Sequence, residues 1–162
     1  MPDLPITKDY KGVTKKLSSV LHQSMPVQSM IVVDGKLLGK QRPKHFTRGT
    51  FSGTYTPKKT VDYERHVANC FKEFCEPMPE NKAIFIEVII YHEYPQTSKV
   101  KLERMRNLEI VPAKQPDIDN IEKIIMDGLE KTAYKRDSLI VGSLKYKKYS
   151  NEPRVDVSLW EL

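Results

Sequence analysis

KQPDIDNIEKIIMDGLEKTAYKRDSLIV, residues 114–141, carries both the fold signal and the densest chemistry of the chain. Ile121, Ile124, Ile125, Gly128 and Leu129 fall at i, i+3, i+4, i+7 and i+8, the stripe that a helix turns toward a core. The spacing predicts a helix from about Asp119 to Leu129. Leu139 to Tyr146, with Ile140 and Val141, then reads as a strand.

The elements on either side follow from the same logic. Upstream, residues 83–91 are rich in Ile and Val, and β-branching favours a buried strand. Tyr63, Val67, Cys70, Phe71 and Phe74 mark one apolar face of an earlier helix. Thr56 is expected to cap that helix with Pro57 at its first position, and Pro77 and Pro79 close it. Between them, residues 95–115 are polar and basic, with room for a short helix. Met30 to Val33 reads as an opening strand that ends in the Asp34-Gly35 turn. Residues 45–55 read as extended but broken by Gly49 and Gly53, a ragged hairpin or a loop. Downstream, Val155, Val157 and Leu159 alternate with Asp156 and Ser158, the period-two mark of a sheet, and Trp160 reads as a packing residue. The order β(ββ)αβ(α)αββ predicts an α+β single domain, a mixed sheet packed against helices, over residues 30–162. Residues 1–29, interrupted by Pro2, Pro5, Gly12 and Pro26, read as an N-terminal extension with a short helix near residues 16–23.

Composition removes several functional classes. A chain of 162 residues fits one domain. No apolar run approaches the roughly 20 residues that cross a bilayer, and the first residues lack a cleavable signal pattern; a cytoplasmic, nucleoid-associated protein is expected. Cys70 and Cys75 cannot build a disulfide framework. Glycine-rich nucleotide loops and a nucleophile elbow are absent. The net charge is +6, from 27 Lys and Arg against 21 Asp and Glu. It is concentrated at the front: residues 1–60 hold 11 basic and 3 acidic side chains, residues 61–162 hold 16 and 18. Such a front half is compatible with a nucleic-acid partner.

Asp117, Asp119, Asp127 and Asp137 put four carboxylates within 21 residues. Asp117 and Asp119, two apart where the chain runs into the helix, point the same way on extended backbone and can grip one cation. A hard ion such as Mg2+ takes oxygen ligands of this kind. The plainer reading is open too: aspartates at a helix start cap it and meet its dipole, and Asp119, Lys123 and Asp127, four apart in turn, can form an exposed salt-bridged stripe. Lys40, Arg42 and Lys44 alternate and form a one-sided row of cations on extended backbone, suited to tracking phosphates. Lys36, Arg48, Lys58 and Lys59 add charge, and Phe46, Phe51 and Tyr55 add rings that can meet unstacked bases. A solvated charged face is the alternative. His45 lies inside this row.

Taken together, GKQRPKHF (Gly39 to Phe46), YTPKKTVDYE (Tyr55 to Glu64), the block from Gln115 to Val141 and EPRVDV resemble the RusA-type Holliday junction resolvases, small endonucleases of bacteria and phages. The resemblance covers about residues 30–162. It implies a homodimeric α+β fold that cuts opposed strands of a four-way DNA junction with Mg2+, which Mn2+ can replace. By the same resemblance Asp117, Asp119 and Asp137 match the metal-binding catalytic carboxylates and Lys123 the catalytic lysine, while Asp127 matches a commonly acidic position. Lys40, Arg42, Lys44, Arg48 and Lys58 are the expected DNA contacts. Relatives often carry two adjacent acids before the serine; here Arg136 precedes Asp137, which makes the local field more positive. A DNA-binding module with structural acids, or a nuclease for other branched DNA, are the competing expectations.

Overall fold

Alternate side chains of a strand face opposite ways, and the chain uses that period to build a four-stranded sheet with one face given over to a helical layer. In a computed structural model, which describes Gln23 and residues 27–162, the elements run β1 (Ser29–Asp34), β2 (Lys44–Arg48), β3 (Phe51–Tyr55), α1 (Lys58–Phe74), β4 (Ile84–Glu93), α2 (Lys99–Arg106), α3 (Ile118–Leu129), a 3-10 turn (Asp137–Leu139), β5 (Ile140–Ser150) and β6 (Arg154–Glu161). The expected order of elements is present. The short helix expected near residues 16–23 lies outside the described residues, apart from Gln23.

The sheet order is β1-β6-β4-β5, with β4 parallel to β5 and β6 antiparallel to both β1 and β4. A parallel neighbour needs a crossover, and the crossover from β4 to β5 carries α2 and α3. Ile84, Ile86, Val88 and Ile90 of β4 share one core with Val67 and Phe71 of α1 and with Ile121, Ile125 and Leu129 of α3. At about 25 cal/mol per Å2 of apolar surface removed from water, such side chains give the domain most of its stability. On the other face Trp160 is fully buried beside Phe85, their rings 6.1 Å apart edge to face, and Arg154 lies 4.0 Å over the Tyr91 ring. Among the described residues no helix is long and apolar enough to cross a membrane.

Three local expectations are corrected. Residues 44–55 form a regular hairpin, turning at Gly49 (φ +63°), and Gly53 does not interrupt it but pairs with Phe46. A side chain at Gly53 would meet the Phe46 ring at 3.0 Å, so the glycine makes room for the ring. Helix α1 begins one residue later than expected. Pro57 has an extended ψ of 138° and stands at the capping position, accepting the amides of Thr60 and Val61 through its carbonyl; no side chain caps the helix. Phe74, assigned to the apolar face, is the last residue of the helix and is 73% exposed.

Candidate active site

Helix α3 is pinned at both ends by different contacts. Near its start, Gly39 approaches so closely that a Cβ there would lie 3.0 Å from Cβ of Pro116 and 3.1 Å from that of Asn120, and the Lys40 amide donates to the Asn120 carbonyl at 2.8 Å. Near its end, Gly128 lets α1 come within contact: a Cβ would meet Val67 at 2.8 Å and the Glu64 carbonyl at 2.9 Å. The Tyr134 hydroxyl donates to the Met126 carbonyl at 2.9 Å.

Asp117 and Asp119 stand at the first of these ends. Asp117 has the backbone of a helix cap (φ −66°, ψ 146°), yet its carboxylate makes no capping hydrogen bond. Both aspartates are exposed, and neither has an ion pair among the described residues. They border a groove of about 520 Å3 that Lys147 also lines. The Lys147 ammonium donates to the carbonyls of Lys114 (2.7 Å) and Pro116 (2.6 Å). Burial lowers its pKa, and the charges of Asp117 and Asp119 partly offset that fall. This lysine thus ties β5 to the turn that delivers both carboxylates. A second strand lysine, Lys145, forms an ion pair with Glu122. Neither was singled out by spacing, because the links run from an edge strand to the helix and the turn before it, 23 to 33 residues away in sequence; the only local signal is the alternation of Lys145 and Lys147.

The other acids lie at the far end. Asp127 binds Lys40 at 2.7 Å, and the same ammonium is bonded to Glu64 of α1. Burial pulls the Lys40 pKa down, and hydrogen bonds and charge from Asp127 and Glu64 more than reverse it, so the net shift is upward. Asp137 opens the 3-10 turn. Burial raises the pKa of Tyr134, and the charges of Asp137, Glu130 and Asp127 raise it further, which places these three acids around the Tyr134 end of α3. The strand run from Ile140 to Lys147 covers about 23 Å at its usual rise, so Asp137 is remote from the groove that Asp117 and Asp119 border. Among the described residues no group of three His, Cys, Asp or Glu side chains is placed to hold one metal ion. Asp119 already lies inside the helix, so the extended backbone expected to aim it with Asp117 is not present; a single chain sets both on one groove and does not bring Asp137 to it.

The cations also separate. The expected row of Lys40, Arg42 and Lys44 is broken at Lys40, which turns inward to its two carboxylates. Arg42 is exposed in the connection, Lys44 and Arg48 stand on the hairpin, and Lys58 opens α1, all exposed. Lys123 is exposed and forms no ion pair among the described residues, so the stripe expected from Asp119, Lys123 and Asp127 is not formed. Glu64 was missed by spacing; its partner Lys40 lies 24 residues earlier and only the fold joins them.

The two acids at the helix start fit a divalent cation as far as one chain goes. They are oxygen donors without an ion pair among the described residues, two apart in sequence behind a tethered turn, which suits a hard ion. The chain is 29% identical to the Uncharacterized protein YqaN of Bacillus subtilis (strain 168) over 133 residues, which cover 80% of this chain and 94% of that protein. Residues 34–160 match the family model of Endodeoxyribonuclease RusA. That match takes in the hairpin, the three helices, β4, β5 and nearly all of β6, with only the last residue of β1, and the chain belongs to the RusA endodeoxyribonuclease family.

Proposed function

We propose that this protein is a Mg2+-dependent endonuclease that resolves four-way DNA junctions by paired phosphodiester hydrolysis. The observation that carries it is the placement of Asp117 and Asp119, without an ion pair among the described residues, at the tethered start of α3 in a chain of a nuclease family. A bound divalent ion would supply Lewis-acid chemistry, lowering the pKa of water and offsetting charge on the phosphate oxygens. Asp117 and Asp119 hold it, and Lys147 fixes the turn from which both project. Lys123, one helical turn from Asp119 and without an ion pair among the described residues, has its ammonium available for charge that develops on the scissile phosphate. Arg42, Lys44, Arg48 and Lys58 position the DNA through its backbone.

Junction resolution needs two cuts, and each chain has one acid pair. A C2 dimer supplies two sites at a fixed separation. The remoteness of Asp137 within a chain gives that dimer a second purpose: in a pair of chains, Asp137 of one copy can complete the Asp117–Asp119 couple of the other. The rival reading, a DNA-binding module, is best supported by Lys123 neutralised by Asp127; Asp127 is instead engaged by Lys40.

The test is cleavage of an end-labelled four-way junction against matched linear duplex, with and without Mg2+, alongside sedimentation equilibrium. Mg2+-dependent paired incision by a species near twice 18.8 kDa is the expected result. Cleavage of flaps in preference to junctions moves the reading to a nuclease for other branched DNA. Binding without cleavage at any divalent ion leaves only a binding module.

A further inference from the structure

The β2–β3 hairpin is a two-stranded sheet of its own, hydrogen-bonded to no strand of the main sheet. Its register sets Lys44 opposite Tyr55, Phe46 opposite Gly53 and Arg48 opposite Phe51. Period two then puts all six on one face. The reverse face is His45, Thr47, Ser52 and Thr54, uniformly polar. On the first face the rings touch, Phe46 to Phe51 at 5.9 Å and Phe46 to Tyr55 at 6.3 Å, yet they are 39%, 66% and 48% exposed.

Cross-strand ring pairs steady a hairpin, and that alone accounts for aromatic residues here. It does not account for a cation at each end of the ring cluster. Nor does it account for the charge around it: between Asp34 and Asp62 the chain has seven Lys and Arg and no acid. Exposed apolar clusters rimmed by charge mark contact surfaces, and this rim is of one sign. The occupant is therefore anionic and offers flat π-faces. Unstacked nucleotides fit both requirements, since rings accept bases of any kind while Lys and Arg follow the phosphates. Paired bases inside a duplex present no free face; bases at a branch point do.

We infer that the aromatic–cationic face of the β2–β3 hairpin, Phe46, Phe51 and Tyr55 between Lys44 and Arg48, is a stacking platform for unstacked bases at the branch of a DNA junction. The inference rests on the branched-DNA reading above and adds to it the element that tells a junction from a linear duplex. The acid pair cuts; the hairpin selects.

The test compares wild type, F51A, F51W and the reverse-face variant T47A/T54A in binding to a four-way junction, to linear duplex and to a short oligothymidylate, all without divalent ion. Phe51 is the most exposed ring and is the first residue of its strand, so F51A should keep the hairpin, checked by an unchanged melting curve. Expected for F51A is roughly tenfold weaker binding of junction and oligothymidylate, the scale of one lost base–ring stack, with duplex affinity unchanged. F51W and T47A/T54A should match wild type. A junction-to-duplex affinity ratio unmoved in F51A overturns the inference. So does a fall in dimer mass without a fall in that ratio, which assigns the rings to a second copy of the chain. Cleavage is scored separately in Mg2+: an uncut junction with ring-dependent binding defeats the nuclease reading and keeps the platform, whereas a cut junction with ring-independent binding does the reverse.

Discussion

The two ends of α3 carry the same residue type to opposite fates. At the start, Asp117 and Asp119 are exposed and unpaired among the described residues, over a groove whose lysine is committed to two carbonyls. At the end, Asp127 is half-buried and joined through Lys40 to Glu64 of α1. The cause is packing. Gly128 draws α1 against the last turns, and the Lys40 ammonium reaches in between Asp127 and Glu64, so a carboxylate there must be neutralised or pay desolvation. The loop at Gly39 packs on Pro116 and Asn120 at the first turn, but among the described residues it brings no cation to Asp117 or Asp119, and these carboxylates stay open to a ligand. Acidity near a helix marks a site only where the fold leaves the charge uncompensated.

The largest effect should separate the two ends by activity. D119N removes one donor from the uncompensated pair and should lower junction cleavage by roughly 10³-fold or more, the scale of losing a charge-stabilising group. Junction binding should persist or tighten, because a carboxylate that repels phosphate is gone. Gel-shift and cleavage assays on one preparation decide it; full Mg2+-dependent turnover by D119N would end the assignment.

The fold was legible where a short sequence window contains its cause. Ile121, Ile124, Ile125, Gly128 and Leu129 are all buried, as their period requires, and so are Val155, Val157 and Leu159. Periodicity names a face but not what covers it or how far the cover extends. Phe74 continues the stripe of α1 past the end of that cover and is exposed. Gly53 has the composition of a breaker, yet the ring across the strand gives it a place in the ladder. For the site, the motif located Asp117, Asp119 and Lys123 on one exposed helix start, whereas Glu64, Lys145 and Lys147 enter through contacts between distant segments. Lys40 shows the limit most sharply. Its neighbours in sequence are cations, its neighbours in space are two carboxylates.

A second contrast concerns pH. His92 is 4% exposed, and its Nε2 has no hydrogen-bond partner among the described residues. Burial lowers its pKa to about 4 from the usual 6.5, with help from the charges of Lys147 and Lys114 at the acid-pair end. Because the folded value is the lower one, the unfolded chain binds the proton first. Stability is complete above about pH 6.5 and declines as pH falls toward 4. Linkage gives a loss of about 2.5 kcal/mol between pH 7 and pH 4.5 from this group. Urea melts at the two pH values should show H92Q losing less stability than wild type by about that amount. An equal loss in both proteins would mean that His92 is charged in the fold.

The C-terminal end of α3 should answer instead to packing. G128A adds a methyl where Val67 and the Glu64 carbonyl already stand under 3 Å away. Alanine gains about 1 kcal/mol in helix propensity, and overpacking costs about 1 to 3 kcal/mol. With a backbone carbonyl on one side, the upper part of that range applies, and the net loss should be about 2 kcal/mol by equilibrium unfolding. Wild-type stability in G128A would show that α1 can move away without cost, and the compensated end would lose its explanation.

The finest distinction lies among the cations themselves. Each phosphate that a free lysine or arginine neutralises releases counterions, so each such contact adds about 0.9 to the slope of log affinity against log salt. A lysine already balanced by two carboxylates has no such release to contribute. K44A should therefore flatten the slope by about 0.9, as should R42A, while K40M should leave it unchanged. The K40M deficit should appear in folding: Glu64 and Asp127 would face each other without their shared cation, a loss of about 2 kcal/mol on the scale of hydrogen bonds to charged groups. Fluorescence anisotropy of a labelled junction across a salt series gives the slopes, and urea melts of the same proteins give the stabilities. If K40M flattens the slope as much as K44A, the Glu64–Lys40–Asp127 link opens on DNA, Asp127 is then uncompensated in the complex, and the two ends of α3 become alike in the state that matters for cleavage.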